Sequence, residues 1–143
     1  MVLAVAFRVL LKSVTLNLIQ LMLKLNIFIV EDSPIMAAAL KHLVVRLGHN
    51  VVGVSESYED AIVQLELSNV DMVITDIMLS GQKNGIDLGA YIKKHLNIPV
   101  IYQSSITDTT IVCDAMRTEP IAYLVKPVGR VELSTALLSV EAA

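Results

Sequence analysis

The chain has 143 residues, 55% of them hydrophobic, one cysteine and a formal net charge of −3. That length suits a single domain, the apolar content excludes a disordered chain, and one cysteine excludes an internal disulfide. Residues 1 to 25 hold Arg8, Lys12 and Lys24 with no acid, leaving 8 basic against 14 acidic side chains in the rest, a balance that argues against direct nucleic-acid binding.

The leader "MVLAVAFRVLLKSVTLNLIQLMLKL" is mostly apolar, but Arg8 and Lys12 interrupt it before about 18 uncharged residues can accumulate to span a bilayer. Its charges lie inside the apolar run and no clean small-residue cleavage site follows, so a secretory signal is disfavoured. Ser13, Asn17, Gln20 and Lys24 fall at helical spacing, with Leu11, Leu18, Ile19 and Met22 on the opposite side. An amphipathic helix that docks on a partner, a second copy or a membrane surface fits this pattern. So does an upstream extension, with Met22 as the biological start. Residues 1–25 are therefore set apart from a unit spanning 26–143.

From Asn26 onward, short β-branched runs alternate with helical stretches. "NIFIV" has the length of a buried strand, and Ser33-Pro34 supply an N-cap and a first-turn proline for a helix to about Leu47, stopped by Gly48. "VVGVSES" reads as a strand, "YEDAIVQLELS" as a helix and "VDMVITDIML" as a strand. A helix over "GIDLGAYIKKHL" starts through Asn84-Gly85, followed by the strand "PVIYQSS", a helix over 108–117, the strand "IAYLVKP" and a last helix over 128–140. Five strands alternating with five helices give an α/β fold with a parallel sheet covered on both faces.

In such a sheet the ligand site lies beyond the carboxyl ends of the strands. Those ends carry Glu31 and Asp32, then Asp76, Ser104 and Lys126. Three carboxylates at one edge repel unless a cation joins them, and an all-oxygen set selects Mg²⁺ or Mn²⁺ over zinc. A lysine and a hydroxyl beside them suit the oxygens of a phosphoryl group, with Asp76 as nucleophile in line with phosphorus. Taken singly, the acidic pair also fits a helix macrodipole, Asp76 a strand-end cap and Lys126 a solvated charge. Together, that explanation needs several coincidences.

Residues 26 to 141 resemble a response-regulator receiver domain of two-component signalling, the CheY-like superfamily. The resemblance rests on "ED" after the first strand, "DIML" after the third, "PVIYQSS" and "YLVKP", in that order and spacing. It implies a flavodoxin-like strand order 2-1-3-4-5, Asp76 as phosphoacceptor, and an Mg²⁺ site built by Glu31, Asp32, Asp76 and the backbone carbonyl of Met78. It further implies Ser104 as the switch hydroxyl, Tyr123 as the aromatic that follows it, Lys126 as the ion-pair partner of the phosphate, and a cis Lys126-Pro127 bond. The implied partners are a histidine kinase or histidine phosphotransfer protein and a downstream protein target or output domain, in a cytoplasmic setting. The chain departs from the family pattern at Ser80-Gly81, where proline is frequent, in a loop one residue longer than the commonest form, and at Pro120 and Val128.

The function implied is a phosphorylation-activated switch that assists its own phosphorylation and dephosphorylation rather than an enzyme turning over an external substrate. The alternative is a phosphorylation-independent adaptor or homodimerisation module on the same fold. A haloacid-dehalogenase-like phosphatase needs an aspartate two residues after the nucleophile, where Met78 stands, and a flavin's phosphate would be repelled by the acidic strand ends. Three scattered histidines, His42, His49 and His95, disfavour a phosphohistidine carrier. Cys113 is expected as a small packed side chain.

Overall fold

A computed structural model describes residues 1–22 and 24–141. The elements are α1 (Val2–Met22), β1 (Asn26–Val30), α2 (Pro34–Arg46), β2 (Asn50–Ser55), α3 (Tyr58–Leu67) and β3 (Met72–Asp76). They continue with α4 (Gly85–Tyr91), β4 (Val100–Ser104), α5 (Thr109–Met116), β5 (Ala122–Val125) and α6 (Arg130–Glu141). All strands are parallel, in the order β2-β1-β3-β4-β5. The expected α/β class, strand order and two covered faces are all present.

The alternation of the strands decides which helix packs where. Phe28, Val30, Val73, Val100 and Tyr102 point to one face and join Ala61 and Leu65 of α3, Leu88 of α4 and Ala115 of α5. Ile27, Ile29, Met72, Ile74 and Ile101 point to the other and meet Leu40 and Val44 of α2 and Leu133 and Leu137 of α6. Strands buried on both faces are why β1, β3 and β4 read as continuous apolar runs. Removing each such side chain from water contributes about 1.5–3 kcal/mol, which makes these three strands the anchor of the fold.

Local chemistry sets the helix ends. The Ser33 hydroxyl accepts the Met36 N–H above Pro34, and Asn84 and Asp87 form a reciprocal capping box at α4. Gly48, at φ 94°, takes the left-handed turn that stops α2. Beyond Tyr91 the helix expected to run to Leu96 widens into a π turn over Ile92–Leu96. There the Asn97 N–H passes over the nearer carbonyls to reach that of Ile92 at 2.7 Å. Cys113 is exposed, not packed: Ile111 and Ala115 take the inward side of α5, and a residue two positions from each faces away.

The chain is tied to the sheet from Leu25, whose N–H donates to His49 Nδ1 at 3.1 Å and whose carbonyl accepts the Asn50 N–H at 2.9 Å. Burial lowers the His49 pKa, in keeping with a neutral acceptor nitrogen. In α1 the described side chains are exposed, Leu3, Phe7, Leu10 and Leu18 among them. The side chains of Asn17, Ile19, Gln20 and Met22, on which the polar stripe partly rests, lie outside the described residues. No helix among the described residues is long and apolar enough to cross a membrane.

Where β3 leaves the sheet, the Gly85 N–H donates to the Ile77 carbonyl at 2.7 Å, and a Cβ on Gly85 would collide with the Asp76 carbonyl. Gly85→Ala is expected to destabilise the fold by about 1–3 kcal/mol, measured by urea unfolding, because backbone on both sides must shift.

Candidate functional site

Each strand of the central three ends in a group that its own strand positions. Glu31 follows β1, its N–H held by the Ser55 carbonyl at 2.9 Å, and the turn into α2 folds the Ser33 N–H back onto Glu31 Oε1 at 3.1 Å. Asp76 ends β3, and the Met78 N–H donates to its Oδ1 at 3.2 Å. Asp32 lies nearer solvent and accepts the Ser80 hydroxyl at 3.3 Å, from the loop before α4.

Carboxylate oxygens of Glu31, Asp32 and Asp76 all lie within 4.8 Å of one another. Glu31 and Asp76 are only 2% and 6% exposed, so their mutual repulsion is poorly screened. The Lys126 ammonium answers it by bonding Glu31 Oε2 at 2.7 Å and Asp76 Oδ2 at 2.6 Å together. Burial pushes the Glu31 carboxyl above its ordinary pKa, Asp76 adds to the rise, and the bonds from Lys126 and Ser33 pull the other way. Burial alone would push Lys126 down, but its bonds to Asp76 and Glu31 outweigh that and hold the ammonium above its usual value.

The donor set passes the chemical test for a hard divalent ion: oxygen only, three anionic groups, one of them open to solvent. The described contact of Met78 with the cluster is its backbone N–H, not its carbonyl. Lys126-Pro127 is cis, as the resemblance implied.

Ser104 and Tyr123 make a second group on the other face of the sheet. The Ser104 hydroxyl, buried, accepts the Ile106 N–H at 3.1 Å, while the Tyr123 hydroxyl donates to the Ile106 carbonyl at 2.7 Å. The Tyr123 ring lies 6.4 Å from that of Tyr102, which is wholly buried and bonds Thr118 Oγ1 at 2.6 Å.

Sequence reasoning missed Gln103. It is 3% exposed, and its amide donates to Glu31 Oε2 at 3.3 Å, the oxygen that Lys126 also holds. A polar side chain straight after the apolar "PVIY", one residue before Ser104 at the strand end, was the available signal.

The response regulator receiver domain model matches residues 27–138. The phyllosphere-induced regulator PhyR of Methylorubrum extorquens is 30% identical over 113 residues, which cover 78% of this chain and 42% of that protein. The transcriptional regulatory protein MalR of Bacillus subtilis is 27% identical over 115 residues, covering 79% and 48%. The chain thus spans about half the length, or less, of these relatives. Among solved structures, the signal receiver domain of a modulated diguanylate cyclase from Desulfovibrio desulfuricans superposes with a TM-score of 0.78 at 30% identity, covering 83% of this chain and 95% of that one. The PhyR receiver domain of Erythrobacter litoralis gives 0.73 at 26%, covering 83% and 91%.

Two substitutions in the cluster are expected to move stability in opposite directions. Lys126→Met strands two buried acids and should cost about 3 kcal/mol at pH 7 in urea unfolding, less as the pH falls and Glu31, whose carboxyl lies above its ordinary value, takes up its proton. Glu31 binds its proton more tightly folded than unfolded, so its ionisation opposes folding as pH rises through its raised value. Glu31→Gln should therefore be more stable than the parent at pH 7 and level with it below 4.5, the ordinary carboxyl value.

Proposed function

The chain belongs to the response regulator receiver domain family, and on that premise we propose that it is a signalling switch operated by phosphorylation of Asp76. The observation that carries this reading is the cluster itself: three carboxylates within 4.8 Å, two of them bridged by one half-buried lysine, at the carboxyl edge of a parallel sheet. In this reading Asp76 is the phosphoacceptor, and Glu31, Asp32, Asp76 and the carbonyl of Met78 hold Mg²⁺ or Mn²⁺. The receiver unit runs from residue 26, with 1–25 a leader whose last residue, Leu25, is already bonded to that unit.

A carboxylate oxygen of Asp76 forms a bond to phosphorus as the bond from phosphorus to the donor breaks. The donor is the imidazole nitrogen of a histidine kinase or phosphotransfer protein, which leaves with the electron pair and gains a proton. The divalent ion, when bound, supplies charge stabilisation to the transferring oxygens. Lys126 turns its ammonium to the phosphoryl group, a shift for which its present grip on Asp76 is a good starting point. Ser104 leaves the Ile106 N–H to donate to a phosphoryl oxygen, and Tyr123 follows through the same residue. Phosphorylation biases two conformations only as far as these contacts differ between them. The surface that changes is formed by α5, β5 and α6, and it meets a downstream protein or an output domain. The protein acts in the cytoplasm, as a regulator that assists its own phosphorylation and dephosphorylation.

One observation favours a second reading. The exposed apolar side chains of α1 suit a dimerisation or adaptor module that works without phosphate.

Incubation with Mg²⁺ and acetyl phosphate separates the two. Intact-mass measurement is expected to show a gain of one phosphoryl group that Asp76→Asn abolishes; no gain in the parent would favour the adaptor. Under the switch reading, Tyr123→Phe is expected to leave the mass gain intact while reducing the spectral change that accompanies phosphorylation, as seen by NMR of the backbone around Ile106.

A further inference from the structure

Glu31, Asp76 and Gln103 lie in one row across the sheet. Val30 pairs with Thr75 and Thr75 with Tyr102, Asp76 pairs with Gln103, and Gln103 with Leu124, so Glu31 extends that next row beside Asp76. Two residues back along each strand, and so on the same face, lie Ile29, Ile74 and Ile101, packed by α2 and α6. Gln103 is therefore a buried polar side chain aimed at the two acids from the far side of the central strand.

Its amide and the Lys126 ammonium share a single atom, Glu31 Oε2, at 3.3 and 2.7 Å. The other oxygen, Oε1, is held by the Ser33 N–H. If Lys126 alone held Oε2, its departure would leave a carboxylate oxygen desolvated and unpaired, which strongly opposes the move. With Gln103 in place the oxygen keeps a neutral donor.

We propose that Gln103 is a positioning residue that retains Glu31 when Lys126 is released toward a phosphoryl group on Asp76; this rests on the phosphoacceptor reading above. Gln103 touches neither the transferring group nor the attacking atom. It acts through Glu31, keeping that carboxylate oriented and lowering the barrier to moving the lysine. A neutral donor is suited to this role because a second cation there would compete with Lys126 and with a divalent ion.

The test uses the full chain with Mg²⁺ and beryllofluoride as the phosphoryl mimic, read by fluorine NMR and by the Lys126 ε-methylene signal. Gln103→Met keeps the side-chain volume and removes the donor. The mimic's affinity is expected to fall about tenfold, as for loss of one hydrogen bond to a charged group, while the urea midpoint stays at or above the parent's. The Lys126 signal should stay nearer its mimic-free position.

Unchanged affinity in Gln103→Met would overturn the assignment. So would a parallel loss of affinity and urea midpoint, which marks a packing role. If the parent itself fails to bind the mimic, the phosphoacceptor reading falls, and this inference with it. Binding by the parent that Gln103→Met leaves intact removes the inference alone.

Discussion

The structure turns on one lysine joined to two buried carboxylates. Glu31 and Asp76 come from adjacent strands, and each is placed by hydrophobic forces that have no regard for its charge: β1 and β3 are apolar on both faces, which holds them inside the sheet, where they pair. The sheet therefore brings two anions together at its carboxyl edge, and Lys126, carried by the cis turn after β5, is what offsets their repulsion. Stability gained in the core holds together a site that would otherwise spring apart.

Much of this arrangement was legible in the sequence. The runs "NIFIV" and "VDMVITDIML" read as strands by their length and β-branched content, and the punctuation by Ser33-Pro34, Gly48 and Asn84-Gly85 marked the turns where the structure has them. The polar residues at strand ends stood out because an apolar run should not end in charge without a reason. Glu31, Asp32, Asp76 and Lys126 do meet, as the strand-end argument required.

What escaped the sequence is mostly contact between side chains of distant elements. Gln103 has no local signature beyond its polarity, and its significance appears only when the register sets it beside Asp76. Ser80 was visible as a departure from the family pattern, but its bond to Asp32 depends on how the loop folds. The π turn after Tyr91 has no periodicity of its own to announce it, and Cys113 was misjudged because a short helix offers two apolar sides between which a single sequence does not choose. The exposed apolar surface of α1 was readable as composition, whereas the bond from Leu25 to His49 was not.

Ile106 is grasped at both ends, its N–H by a side chain on β4 and its carbonyl by one on β5. A loop hung from two hooks on neighbouring beams does not drift by degrees; freeing one hook leaves it swinging on the other until it settles elsewhere. Suspension of that sort makes each strand answerable to the other, since a displacement of either side chain is passed on through one peptide-linked residue.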